Sequence, residues 1–156
     1  MLCGVLRQCR RFCLILYVGV LPLSVGAAAD TARLQTGDLI IRVTGMESGH
    51  GKIQYALYDS PEGFPARKGR IAKGGVPVTP LTSTVVIKGL TPGFYAVAVY
   101  HDENLNDEFD QGIFGIPLET YGFSNDARGF FSAPDFDDAK FRVGGPKTEI
   151  SIELGR

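Results

Sequence analysis

Short apolar runs with a period of two dominate the chain after residue 30, and glycine, proline, asparagine and aspartate separate them. Leu39, Ile41 and Val43 alternate with less apolar positions, so an extended segment would present one apolar face. Convincing helical periodicity is absent from this sequence. The pattern predicts an all-β fold, an antiparallel β-sandwich of about seven strands in a transthyretin-like or immunoglobulin-like arrangement.

One predicted strand differs from the others because it is apolar on both faces. The alternation predicts half-buried strands around residues 53–57, 85–87 and 150–154. Between them, residues 94–100 place Phe94 and Tyr100 on one face and three apolar residues on the other, with alanines as small fillers. Burial on both faces is typical of a strand inside a sheet. We therefore expect this run to be a central strand that positions the loop after it.

The amino terminus has the features of a cleavable secretory signal. Arg7, Arg10 and Arg11 precede an apolar run over residues 12–25, and Ala27–Ala29 provides small residues suited to a signal peptidase. A retained membrane anchor is the alternative, but this run is shorter than the roughly 20 residues of a spanning helix. The sequence predicts cleavage after Ala29, which divides the chain into a signal at 1–29 and a single β-sandwich domain at 30–156.

Cysteine content and charge restrict the environment and partners of the mature chain. Cys3, Cys9 and Cys13 all lie in the predicted signal, which also contains three of the 16 basic residues and none of the 17 acidic ones. The mature chain would be free of cysteine, with a formal charge of 13 minus 17, or −4. These properties do not favour nucleic acid, and they predict a secreted or periplasmic domain without a membrane span after cleavage.

The loop that follows the predicted central strand has a pattern of side-chain oxygens that is typical of a cation-binding site. Asp102, Asn104, Asn106 and Asp110 occupy loop positions one, three, five and nine, the spacing by which oxygen ligands converge on calcium. Glu108 would contribute its backbone carbonyl. We therefore predict a structural calcium site with a dissociation constant on the order of 0.1 to 1 mM, typical of extracellular modules. The alternative is that these side chains form only Asx-turns in a surface loop.

Two positions depart from the calcium-loop pattern. Asp107 stands where glycine is usual, so the turn would need an aspartate at positive φ. Ile113 stands where an EF-hand has its closing bidentate glutamate. Water, the Glu108 carbonyl or a distant carboxylate must then complete the shell. Candidates for the distant ligand are Asp59, Glu62, Glu119, Asp126, Asp135, Asp137 and Asp138.

The long irregular segment over residues 112–138 is rich in aromatic residues, which favours order over disorder. One interpretation is a loop cap packed over an open end of the sandwich. The other is a surface that binds a peptide or glycan. The candidate contacts on this loop are Tyr121, Phe123, Asn125, Arg128 and Phe130.

Three motifs in one order resemble a known family. LYDSPEGFP at Leu57–Pro65, YAVAVYHDENLNDEFD at Tyr95–Asp110 and GIPLETYGFSNDARGFFSAPDFDDAKF at Gly115–Phe141 are similar to the exported bacterial family DUF2141. The resemblance implies a small secreted or periplasmic β-domain without an assigned activity. The loop after Tyr100 also resembles the calcium loops in B-type repeats of bacterial surface adhesins.

Catalysis has little support in the sequence. His101 and Asp102 are adjacent on a strand and would point to opposite faces, so they do not form an orienting pair. The sequence shows no residue that would act with His50 as a catalytic partner. Zinc is bound mainly by His and Cys, and two histidines on separate segments are few ligands for a zinc site. We expect a non-enzymatic accessory or interaction module of the cell envelope, whose partner is an envelope protein, a peptide or a glycan. The alternatives are a dedicated peptide- or glycan-binding domain and a periplasmic enzyme that uses His101.

Overall fold

A computed structural model describes residues 35–156 of the protein, except Leu81 and Phe131. The predicted signal, its cleavage site and the three cysteines lie outside these residues. The strands are β1 (Gly37–Thr44), β2 (Lys52–Tyr58), β3 (Ala72–Pro77), β4 (Ser83–Leu90), β5 (Gly93–Asp102), β6 (Tyr121–Phe123), β7 (Phe141–Val143) and β8 (Lys147–Glu153), and one short helix, α1, spans Phe136–Ala139. Within this part of the chain, no helix has the length and apolar character needed to cross a membrane.

The strands form two sheets, which confirms the predicted all-β sandwich. One sheet has the order β4-β1-β8, and the other has the order β3-β2-β5-β6, with β7 paired to the start of β5. The pairs are antiparallel except β1 and β8, which run parallel. A parallel pair needs a long connection, and here the connection is the rest of the domain. Residues 35–156, apart from the two omitted positions, thus form eight strands where about seven were expected.

The main core lies between the two sheets and consists of the predicted alternating residues. On β1, for example, Leu39, Ile41 and Val43 have no exposed surface, because each inward side chain lies two residues from the next. The other buried members of this core are Ile53, Leu57, Val85, Ile87, Tyr95, Val97, Val99, Val143, Ile152 and Leu154.

A second apolar cluster covers the opposite, outer face of the five-stranded sheet. Alternation along the strands turns Tyr58 and Ala96 away from the main core, and Phe123, Phe136 and the ring of Phe64 pack over them. The aromatic-rich segment over residues 112–138, which we call the aromatic loop, therefore covers part of a sheet face. The sequence analysis instead placed it as a cap over an open end of the sandwich. This outer layer forms because β5 is apolar on both faces.

Strand β5 is central, as predicted, since it lies between β2 and β6, and its first residues also pair with β7. Its burial is incomplete at the start, where Phe94 is 55% exposed. The outer cluster reaches Ala96 but not Phe94, and the Lys140 ammonium lies 5.8 Å from the centre of the Phe94 ring. The carboxyl end of β5 is fully buried at His101 and Asp102, so the following loop begins from a rigid point.

Candidate functional site

The loop predicted to bind calcium, residues 102–110, folds around the carboxylate of Asp102. We call this segment the acidic loop. This side chain has no exposed surface, and its two oxygens accept the backbone amides of Asn106 and Asp107 at 3.1 and 3.0 Å. Asp107 adopts a φ of 63°, the left-handed conformation that its place in the pattern required. The Asp102 carboxylate therefore fixes the turn from its buried end.

The other side chains of the predicted set converge on Asp110. Asn104 donates its amide to Asp110 Oδ2 at 2.7 Å, and the amide nitrogen of Asn106 lies 3.0 and 3.2 Å from the two Asp110 oxygens. The amide oxygens of Asn104 and Asn106 accept the backbone N–H groups of Asn106 and Glu108. The Glu108 carboxylate points outward to Arg67, at 3.7 Å. Four of the predicted side chains thus share one connected network.

Two polar residues of β2 hold the loop against the sheet. The Lys52 ammonium and the Gln54 amide both contact Asp107 Oδ1, and Gln54 also donates to Asp102 Oδ2 at 3.2 Å. The hydrogen bond from Lys52, followed by that from Gln54, lowers the pKa of Asp107. The Asp107 carboxylate is therefore already paired in the folded protein.

Glu119 is the distant candidate carboxylate that the structure brings to this loop. Only 7% of the residue is exposed, and its Oε2 accepts the backbone amide of Asp110 at 3.1 Å. Burial raises the pKa of Glu119, and the charges of Asp110 and Asp102 add to the increase while the Asp110 amide opposes it. Asp126 and Asp137, by contrast, bind the Glu153 amide and Lys140. Among the described residues, no group of three or more His, Cys, Asp and Glu side chains is placed to hold a metal ion.

A groove of about 960 Å³ lies beside this loop on the outer face of the five-stranded sheet. We call it the sheet groove. Its floor contains two small residues, Ala56 and Ala98, so the strand surface is low between the surrounding rings. Its aromatic lining on this face consists of Tyr58, Tyr100, Phe109, Tyr121, Phe123 and Phe130.

Phe109 joins the loop to the groove. Its ring centre lies 5.4 Å from that of Tyr100 and 5.6 Å from that of Tyr121, in tilted and edge-to-face contacts. Burial raises the pKa of Tyr100 to about 12, and the charges of Asp102 and Glu119 contribute to the increase. The groove and the acidic loop are therefore one continuous region of the surface.

Three cations form one wall of the sheet groove. They are Arg67 and Arg70, from the connection after β2, and Lys73 on β3. Arg70 Nε is buried and makes no hydrogen bond to the described residues. The carboxylate among the lining side chains is Asp107, which Lys52 already pairs. Arg67 already lies 3.7 Å from the Glu108 carboxylate, whereas the described residues form no ion pair with Arg70 or Lys73, so these two cations favour an anionic group. The sequence analysis did not predict this wall, because nothing in the sequence shows that the connection after β2 and strand β3 lie beside the groove.

The residues predicted to bind a peptide or glycan divide into two groups. Tyr121, Phe123 and Phe130 line the sheet groove. Asn125 instead donates to the carbonyls of Asp138 and Lys140, and Arg128 donates to the Glu153 carbonyl at 3.3 Å. These last two side chains fasten the aromatic loop to its neighbours.

An exposed apolar hairpin forms part of the rim of the groove. The backbone of Gly112 donates to the Ile116 carbonyl at 2.8 Å, which folds residues 113–118 outward. We call this segment the apolar tip. Its glycine and proline, Gly115 and Pro117, line the groove. Its four large side chains, Ile113, Phe114, Ile116 and Leu118, are between 56% and 97% exposed.

A family model described as "Uncharacterized protein conserved in bacteria (DUF2141)" matches residues 41–151, more than two thirds of the chain. The chain belongs to DUF2141. The match includes the acidic loop, the sheet groove and the apolar tip of this DUF2141 protein. Neither the curated proteins nor the solved structures compared with the chain gave a match.

The histidines of this DUF2141 protein lie apart from the groove. His101 has no exposed surface, and its Nε2 lies 2.6 Å from the His50 carbonyl oxygen. Its Nδ1 lies 3.7 Å from a Glu103 carboxylate oxygen. Because His101 does not line the groove, it is not placed to exchange a proton with a ligand bound there.

Proposed function

We propose that this DUF2141 protein is an exported, non-enzymatic interaction module that binds a segment of another envelope protein in the sheet groove. The observation that carries the proposal is the groove itself, an aromatic trough of about 960 Å³ with a cationic wall. Concave, mainly apolar sites with a few placed polar groups are typical of binding sites. The burial of His101 supports a binding role over a catalytic one.

The chemistry of the walls favours a peptide that carries both apolar and acidic side chains. Apolar side chains fit the aromatic lining, and a carboxylate complements Arg70 and Lys73. The apolar tip extends the same surface, and contiguous exposed apolar residues are typical of protein contacts. The rings of Tyr100, Phe109 and Tyr121 meet at tilted or edge-to-face angles. That packing offers less of the flat platform on which sugars stack.

A selection from a random peptide library tests this proposal. Residues 30–156 are immobilised, bound peptides are enriched, and their dissociation constants are measured by fluorescence anisotropy. We expect peptides that combine aromatic or aliphatic residues with Asp or Glu. Ala98→Phe fills the floor and should weaken binding at least tenfold, and Arg70→Gln should weaken it about five- to tenfold.

The control for the charge change is Arg142→Gln, at an exposed arginine of β7 that does not line the groove. It should bind each peptide as the parent does, and thermal melts should show that all three variants are folded. Equal affinities in Ala98→Phe and the parent would contradict the proposal. Failure to enrich any peptide, together with glycan binding that Ala98→Phe abolishes, would replace the peptide with a glycan.

The export part of the proposal has its own test. The Arg-rich start, the apolar run and Ala27–Ala29 support removal of a signal. When the full chain is expressed in a bacterium, we expect the protein outside the cytoplasm to begin at Asp30, as measured by intact mass and amino-terminal sequencing. A replacement of Ala27 and Ala29 by bulky residues should block this cleavage. An intact amino terminus on cytoplasmic protein would contradict the prediction.

A further inference from the structure

Strand β3 forms one edge of the five-stranded sheet, and this edge borders the sheet groove. Among the described residues β3 pairs with β2 alone, because it is the first strand in the order β3-β2-β5-β6. We call its other side the open edge. Lys73, Gly74 and Gly75 of this strand line the groove. An unpaired strand edge presents backbone N–H and C=O groups to which another strand can bind.

The hydrogen-bond pattern identifies the backbone groups that face the open edge. Val78, just after β3, donates its amide to the Gly51 carbonyl at 3.3 Å. Hydrogen-bonded and non-hydrogen-bonded positions alternate along an antiparallel pair. Counted from this bond in the register of the two strands, Lys73, Gly75 and Pro77 are the non-hydrogen-bonded positions. The N–H and C=O groups of Lys73 and Gly75 therefore point away from β2, and Pro77 has no N–H group to leave unpaired.

Lys73 and Gly75 also lie on the outer face of the sheet, where the groove is. Lys73 is directly opposite Ala56 of the groove floor, and directly opposite residues share a face. Because Gly75 has no side chain, the surface beside Lys73 is low. A strand added at the open edge would thus have every second side chain on the groove side.

A smaller pocket of about 440 Å³ lies at the same edge. All of its lining residues belong to the segment 67–73, namely Arg67, Arg70, Ile71, Ala72 and Lys73. Ala72 and Lys73 are neighbours on a strand, so their side chains point to opposite faces. A pocket that both residues line must open at the edge of the strand rather than on one face.

The charge of the open edge favours an acidic partner over a second copy of the chain. Among the described residues, Arg70 and Lys73 form no ion pair, although both line the smaller pocket. Two β3 strands that paired through Lys73 and Gly75 would place the two Lys73 side chains diagonally, about 7 to 8 Å apart on one face. Like charges at this distance disfavour such a pair, whereas an acidic segment would neutralise them.

We propose that the partner segment joins the five-stranded sheet as an added strand beside β3, with an acidic residue opposite Lys73 and a large apolar residue opposite Gly75. This binding mode rests on the proposed function, since it states how the segment of an envelope protein lies against the groove. Aromatic side chains stabilise edge glycines that lie opposite them. Selected peptides should therefore have Asp or Glu separated by one residue from Phe, Tyr or Leu.

N-methylation of a selected peptide, one residue at a time, tests the added strand on the unaltered protein. The methyl group removes one N–H donor and leaves the side chain unchanged. An added strand uses the N–H groups of every second residue. The dissociation constant, measured by fluorescence anisotropy, should therefore rise about tenfold or more at alternate residues and less than about twofold at the residues between them.

Amide hydrogen exchange, followed by nuclear magnetic resonance, tests the same contact from the side of the protein. Saturating peptide should slow exchange of the Lys73 and Gly75 amides by about tenfold or more, because both become donors in the sheet. The amides of β4, which is the edge strand of the other sheet, provide the control. Their exchange rates should not change.

Two substitutions at Gly75 separate the backbone from the added side chain. Gly75→Pro removes the outward N–H group, as Pro77 already does at the end of the strand, and should weaken binding about tenfold or more. Gly75→Ala retains the N–H group and adds a Cβ, which would lie 3.0 Å from Gln54 Oε1. It should bind within about threefold of the parent.

Lys73→Gln tests the choice of an acidic residue. It should weaken a peptide that contains Asp or Glu about five- to tenfold, and the Asn or Gln version of that peptide much less. Lys68→Gln is the matched control, because Lys68 belongs to the same connection but lines neither the groove nor the smaller pocket. It should bind as the parent does.

The outcomes distinguish this inference from the proposed function. Peptide binding without alternation in the N-methyl series, or without slowed exchange at Lys73 and Gly75, would overturn the added strand and leave the groove as the binding site. These two measurements also decide the question if Gly75→Pro does not fold. A dimer of the parent that Gly75→Pro dissociates would replace the partner with a second copy. A selection that enriches no peptide would overturn the proposed function and this inference together.

Discussion

Replacement of Asp102 by alanine is expected to lower the free energy of unfolding by about 2 to 3 kcal/mol in EGTA. The Asp102 carboxylate is fully buried and accepts the amides of Asn106 and Asp107 and the side chain of Gln54. Alanine leaves these donors without their partner and releases the turn from the end of β5. Urea denaturation, followed by circular dichroism, measures the change.

The control is Asp135→Ala, at an exposed aspartate that makes no capping hydrogen bond to α1. It should change stability by less than about 0.5 kcal/mol. Asp102→Asn retains the shape of the side chain but places an N–H group opposite a backbone amide donor. Its decrease in the free energy of unfolding should therefore lie between those of Asp102→Ala and Asp135→Ala. If Asp102→Ala is as stable as Asp135→Ala, the carboxylate does not organise the loop.

The acidic loop was predictable from the sequence because its determinants are local. Asp102, Asn106 and Asp107 lie within six residues of one another, and the Asx-type hydrogen bonds that join them depend on spacing alone. Even the positive φ of Asp107 follows from its place in the pattern. The contribution of Glu119 is not local. The sequence analysis named it as one of seven carboxylates, and only the pairing of β5 with β6 selects it.

The sheet groove, in contrast to the acidic loop, was not predictable from the sequence. Its floor depends on Ala98 in β5, which the sequence analysis treated as a small filler between larger residues. Its cationic wall depends on β3, which was not predicted because Gly74 and Gly75 provide no alternating side chains. Gly74 is nevertheless needed there, since a Cβ at this position would lie 2.7 Å from the Tyr55 hydroxyl. Close packing, rather than propensity, selects glycine in this edge strand.

The aromatic loop combines the two interpretations that the sequence left open. Phe136 packs in the outer cluster with Phe64, with ring centres 5.8 Å apart. Phe114 and Phe130 are more than 90% exposed. One segment thus covers part of the sheet and also surrounds the uncovered part as a binding surface. Sequence alone does not separate these roles, because both need phenylalanine.

A pair of identical substitutions should separate the two roles. Phe136→Ala is expected to cost about 3 to 4 kcal/mol of unfolding free energy, because the ring is 7% exposed and its removal leaves a cavity against Phe64 and the sheet. Phe114→Ala changes the same atoms at a ring that is 97% exposed. It should change stability by less than about 0.5 kcal/mol. Urea denaturation of both variants provides the comparison.

Peptide binding should respond in the reverse order. Phe114 is part of the apolar tip, so Phe114→Ala should weaken a peptide from the library selection about tenfold while the protein remains fully folded. Phe136 does not line the sheet groove, so the folded fraction of Phe136→Ala should bind with nearly parental affinity below its unfolding transition. Equal stability losses in the two variants would show that the apolar tip is packed in solution. Its exposed side chains would then no longer support a role in partner binding.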